Sequence, residues 1–228
     1  MSGLIEQFYE NFIYLDRWMY LAQGLGTTLL ITLLAVVFGV ALGFLVAVAR
    51  STYEKTGSLK IINAICKLYL TVIRGTPVLV QLLIMYYVIF ASSNNKILAA
   101  VLAFGLNSGA YVAEIVRSGI MSIDQGQFEA GRSLGFNYAQ TMAYIILPQA
   151  FKNVLPALAN EFIVLLKETS VCGFVALVDL TKAGDIIRSS TYSSFMPLLA
   201  VAIIYLILVM GLTALVGKLE RRLRVNER

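Results

Sequence analysis

Histidine is absent from the 228 residues, which removes the usual general base, the usual proton relay and the commonest metal ligand. Cys66 and Cys172 are isolated and form neither a disulfide framework nor a paired metal site. No Ser/His/Asp set, His/Glu cluster or catalytic carboxylate pair occurs, so no residue is assigned a catalytic or metal-ligating role. What remains is a small set of polar side chains embedded in apolar sequence. Asn107, Tyr111 and Glu114 share one helical face at steps of four and three. Asn160 and Glu161 follow Pro156 in a second apolar stretch. A charged side chain inside a membrane span costs about 2.5–3.5 kcal/mol on insertion scales, which makes each one a functional candidate by default. The chemistry is therefore recognition: two carboxylates, with Lys167 beyond them, leave an acidic surplus that favours a cationic ligand group such as the side chain of arginine or lysine. Glu114 has an alternative use, pairing with Arg117 at a membrane edge. Gln81 and Met85, one turn apart, are secondary candidates, because such residues also pack or bond backbone freed at a helix break.

These residues need a membrane scaffold. The chain is 59% hydrophobic and 14% charged, with mean hydropathy +0.80, so it reads as an integral membrane protein. The expected fold is all-α with five transmembrane helices in a single transmembrane domain over residues 1–228. The spans cover about 20–50, 58–90, 97–121, 141–169 and 195–217, and a cytoplasmic helix-loop covers about 122–140. Gly75-Thr76-Pro77 breaks or bends the second span, and Pro148 and Pro156 kink the fourth. Met1 to Trp18 reads as a short amphipathic entry without the pattern of a cleaved signal peptide. Ser92-Ser93-Asn94-Asn95 reads as a turn, and Gly173 to Ser194 as an extramembrane loop with a short helix. Arg50, Lys55, Lys60, Arg117, Arg132 and the tail containing Lys218, Arg221, Arg222, Arg224 and Arg228 collect on one face. By the positive-inside rule that face is cytoplasmic, with the N-terminus outside and the C-terminus inside a bacterial-type plasma membrane.

One cytoplasmic stretch has a distinctive spacing. Glu129-Ala130-Gly131 is followed after three residues by Gly135, and after nine more by Ile145-Ile146-Leu147-Pro148. This resembles the EAA signature of permease subunits in ATP-binding-cassette importers, with Gly131 in place of the second alanine. Arg74-Gly75-Thr76-Pro77 with Gln81, Gly109 to Arg117, and Lys167-Glu168-Thr169-Ser170 extend the resemblance to the polar amino acid branch, which contains histidine, arginine and glutamine importers. The resemblance implies that Glu129, Ala130, Gly131, Gly135, Leu147 and Pro148 dock on a separate ATPase subunit. It also implies a second permease copy, either identical or related, an extracytoplasmic amino-acid-binding protein, and an amino acid substrate, basic or polar.

The chain lacks a Gly-x-x-x-x-Gly-Lys-Ser/Thr loop, so ATP and Mg are expected in the partner and no cofactor on this chain. No basic patch interleaved with aromatics points to nucleic acid; membrane lipid is the expected surroundings. An ATP-independent channel or secondary transporter for a cationic metabolite is the alternative, although no inverted repeat supports it.

Overall fold

The computed structural model describes residues 2–93 and 95–225, so Asn94 of the expected turn and Arg228 of the basic tail lie outside the described residues, as does the side chain of Arg224. Every regular element among the described residues is helical. The chain runs α1 (Ser2–Phe8), α2 (Trp18–Thr56), α3 (Lys60–Gly75), α4 (Val78–Ile84), α5 (Lys96–Met121), α6 (Gln125–Ser133), α7 (Tyr138–Thr141), α8 (Leu147–Glu168), α9 (Leu180–Thr191) and α10 (Phe195–Val225). Single π turns follow α1, α4 and α7.

Among the described residues, three helices are long and apolar enough to cross a membrane: Trp18–Thr56, Lys96–Met121 and Phe195–Arg222. The pair Lys60–Gly75 and Val78–Ile89 makes a fourth if taken as one span, bent by 107°. The bend falls at Thr76-Pro77, where both residues are extended: proline supplies no N–H and pushes its predecessor out of helical dihedrals. Helix α8 is 22 residues long, but Gln149, Lys152, Asn153, Asn160 and Glu161 leave it below the apolarity of the other spans. Pro156 lies inside it.

The contacts divide the chain into two compact units. The first comprises Met1–Ala35, Pro77–Phe104 and Phe162–Leu215. Here α9 packs on the start of α2 so closely that a Cβ on Gly24 would lie 2.6 Å from the Asp179 carbonyl oxygen. Asp179 caps α9 by accepting from the N–H groups of Thr181 and Lys182, at 3.1 Å each, and burial pushes its carboxyl up against their pull. The Thr28 hydroxyl accepts from Leu180 N–H at 3.1 Å. Gly184 lies against Val201 of α10.

The second unit comprises Val36–Thr76, Gly105–Glu161 and Val216–Arg228. Its seam is a crossing of two Gly-x-x-x-Gly pairs: Gly39 and Gly43 of α2 face Gly105 and Gly109 of α5, and a Cβ on Gly43 would lie 2.7 Å from the Gly109 carbonyl. Small residues let the backbones approach where no hydrophobic effect drives helices together. Ala47, Val112, Val116, Ile120, Met142, Ile146, Ala150 and Val154 fill the core beside this seam. The Tyr69 hydroxyl donates to the Leu106 carbonyl at 2.6 Å, fixing α3 on α5.

Candidate functional site

Five of the seven substrate candidates fall in the second unit, on α5 and α8. Glu161 is part-buried and accepts from the hydroxyl of Ser108 at 3.0 Å. Among the described residues it has no ion pair. Asn107, next to Ser108, is buried, and Asn160 is exposed. Tyr111 is exposed and carries the guanidinium of Arg74 over its ring, 5.5 Å from the centroid. Gln81 and Met85 belong to the first unit, one turn apart on α4 and the turn after it, where the Gln81 carbonyl accepts from Met85 N–H.

Glu114 differs from Glu161 in having its charge already matched. It accepts from Arg50 at 2.6 Å and from Arg117 at 3.0 Å. Glu54 closes the set, 3.7 Å from Arg50 and 3.4 Å from Arg117. Two cations and two carboxylates thus form a neutral ring that ties α2 to α5. Arg50 and Glu54 are four residues apart on one helix, Glu114 and Arg117 three apart on the other, so each pair shares a face. The sequence shows those spacings but not that the two faces meet. Ser108 was equally invisible as a partner: nothing in sequence brings position 108 to position 161.

The polar island between α5 and α8 is two short helices. Asp124 caps α6 by accepting from Gly126 N–H at 2.7 Å. Gly135 ends the turn after α6 at φ +80°, a conformation in which L side chains are strained. Asn137 and Gln140 then form a reciprocal capping box at the start of α7, both bonds 2.9 Å. The angle between α6 and α7 is held by Gly131: a Cβ there would lie 2.6 Å from both Oγ1 and Cγ2 of Thr141. That crowding is a physical reason for glycine at the second-alanine position. Glu129, Ala130, Gly135 and Pro148 are exposed, Gly131 is buried and Leu147 half-buried. Beside them lies a groove of about 190 Å³ lined by Lys55, Gln125, Phe128, Arg132, Tyr138 and Thr141, with the Lys55 ammonium 4.8 Å from the centre of the Phe128 ring.

Two short capped helices joined at Gly135 and an ion-pair ring between α2 and α5 do not name a function by themselves; comparison with known proteins does. Residues 39–225 match the family described as binding-protein-dependent transport system inner membrane component. The chain belongs to that family. It is a permease of the ABC amino acid importer group, a multi-pass membrane component whose ATPase is a separate subunit. The permease is 36% identical to the putative glutamine transport system permease protein of Rickettsia typhi, over 93% of this chain and 97% of that one. It is 36% identical to the arginine transport system permease protein of Bacillus subtilis, over 91% and 94%, and 35% identical to the glutamine transport system permease protein of Escherichia coli, over 90% and 93%. Among solved structures it resembles an amino acid ABC transporter crystallised with histidines, with TM-score 0.83 and 42% identity over 92% of this chain and 98% of that chain. The MetNI methionine ABC transporter, at TM-score 0.78 and 20% identity, shares the fold.

Proposed function

We propose that this permease is the translocation subunit of an ATP-driven importer of basic or polar amino acids such as arginine, lysine or histidine. It has five spans, the N-terminus outside and the C-terminus cytoplasmic, and works with a second permease copy, an ATPase subunit and an extracytoplasmic amino-acid-binding protein. Glu129, Ala130, Gly131, Gly135, Leu147 and Pro148 form the ATPase-docking element. Glu161 receives the cationic group of the substrate; Glu114, Asn160, Asn107, Tyr111, Gln81 and Met85 are the further candidates for substrate contact.

The observation that carries this reading is the contrast between the two carboxylates. Glu114 is matched by Arg50 and Arg117, whereas Glu161 has only the Ser108 hydroxyl among the described residues. A part-buried carboxylate with one neutral donor keeps acceptor capacity for a charged partner. The names of the relatives, which include both glutamine and arginine permeases, support amino acid cargo and leave the choice of side chain to residues such as Glu161. Reconstitution into liposomes with the cognate ATPase and binding protein tests the proposal: uptake of arginine should require ATP and stop when the ATPase is omitted. Uptake at full rate without ATP would overturn it in favour of a channel or secondary transporter.

A further inference from the structure

The N-terminal segment takes no part in the mechanism above. Helix α1 and the π turn Tyr9–Ile13 form one continuous stretch, which ends in a corner where Leu15 and Asp16 adopt φ values of 57° and 51°. Arg17 closes that corner: it donates to the Glu10 carbonyl, and its guanidinium lies 5.3 Å over the Tyr14 ring. Trp18 then opens the first span.

Around its axis this stretch has three different sides. One faces α9: buried Asn11 donates to the Gln7 carbonyl at 2.7 Å and accepts from the Thr191 hydroxyl at 2.9 Å. Phe12 packs on the same side into the cluster of Leu180, Ala183 and Ile187. The next side is apolar and open, with Leu4 59%, Ile5 75%, Phe8 52% and Ile13 47% exposed. The third carries Glu6 and Glu10, also exposed. At about 100° per residue, Ile5 and Glu6 point in clearly different directions from one helix. Trp18, Met19 and Tyr20 follow directly after the corner and are also exposed, at the start of the first span, so exposed apolar side chains flank the corner in sequence on both sides.

We propose that residues 2–13 lie flat in the lipid headgroup layer at the Trp18 end of the first span. Leu4, Ile5, Phe8 and Ile13 enter the acyl boundary, Glu6 and Glu10 face water, and Asn11 with Phe12 holds α9 at that height. The occupant of the apolar side is lipid. The segment carries Glu6, Glu10 and Asp16 against Arg17, so anionic headgroups repel it, and apolar burial rather than charge provides the attachment. Tyr14 and Trp18 sit where interfacial aromatics are favoured. The inference requires that α2 crosses the membrane but is independent of which end faces the cytoplasm and of what is transported.

The test uses single cysteines at Ile5, Phe8, Glu6 and Glu10, one at a time, in the full chain carrying Cys66→Ala and Cys172→Ala, reconstituted with its ATPase subunit. All four side chains are exposed, and Ile5 and Glu6 alone decide the outcome if the other two perturb folding. Nitroxides at 5 and 8 should be relaxed by oxygen and protected from a water-soluble nickel chelate, at depths of about 5–10 Å below the headgroups; those at 6 and 10 should behave oppositely. The pattern should be the same in phosphatidylcholine vesicles with or without phosphatidylglycerol. Labels at all four positions reporting water would overturn the proposal. Shielding of 5 and 8 from both reagents would overturn it too, because a second copy or a binding protein would then cover that side.

Discussion

Replacing Glu161 by glutamine removes a charge while keeping the shape and the ability to accept from the Ser108 hydroxyl at 3.0 Å, so the fold around α5 and α8 is retained. If Glu161 receives a cationic group, the loss is that of one charge-assisted hydrogen bond. Such bonds contribute about 1.5–3 kcal/mol. Glu161 is part-buried rather than sealed, which places the effect at the lower end, about 1.5–2 kcal/mol, or about 10–30-fold in affinity. The apparent KM of uptake also reflects the binding protein, so the primary readout is equilibrium binding of labelled arginine and glutamine to the purified permease–ATPase complex. Arginine affinity should fall by that factor while glutamine affinity changes little. Uptake at saturating loaded binding protein should follow the same order. Equal loss for both amino acids, or no loss for arginine, would refute the assignment of Glu161 to the cationic group.

Three further perturbations follow from the geometry. Gly131→Ala puts a methyl 2.6 Å from Thr141 and should destabilise by about 1–3 kcal/mol through overpacking, with ATPase lost on co-purification; adding Thr141→Ala, which removes both crowding atoms, should restore thermal stability and ATPase retention together. Glu114→Ala leaves Arg50 and Arg117, with side chains only 17% and 26% exposed, sharing Glu54 alone at the longer distances of 3.7 and 3.4 Å; a loss of about 1–3 kcal/mol is expected in detergent unfolding, and the exchange Arg50→Glu with Glu114→Arg should recover part of it. Lys182 and Arg188 hold the Asp185 carboxyl below the usual range. A carboxylate depressed by folding contributes stability at neutral pH that is lost as pH falls through its folded value, so amide protection in α9 should drop on acidification below about pH 4. Asp185→Asn should flatten that acid limb and leave the protection of α5 unchanged.

How far these residues could be read in advance depended on distance along the chain. The three apolar spans, the break at Gly75-Thr76-Pro77 and the short helix inside 173–194 were legible because each is set by composition or dihedral preference within about 25 residues. The corner at Leu15 and Asp16 was not: aspartate enters the left-handed region more readily than most residues but leucine rarely does, and the contact of Asn11 with Thr191 just before the corner joins residues 180 positions apart. The same limit separates the two carboxylates. Apolar surroundings marked both Glu114 and Glu161, but their difference rests on Arg50 and Ser108, which lie 64 and 53 positions away.

The island shows what spacing can and cannot encode. The pattern from Glu129 to Pro148 is the basis on which docking on an ATPase is proposed for the island, and Gly131 is its one departure from the residues of the family signature. In the structure that departure is a packing requirement: the second-alanine position lies so close to Thr141 that no Cβ fits. An alanine in this position in a relative therefore demands a smaller residue than threonine where α6 meets α7, or a wider angle between the two helices. The double substitution Gly131→Ala with Thr141→Ala distinguishes these cases, because it supplies the methyl and the space for it at once. If stability returns but ATPase docking does not, the angle set by glycine is itself part of the docking surface; if both return, only the absence of the clash matters.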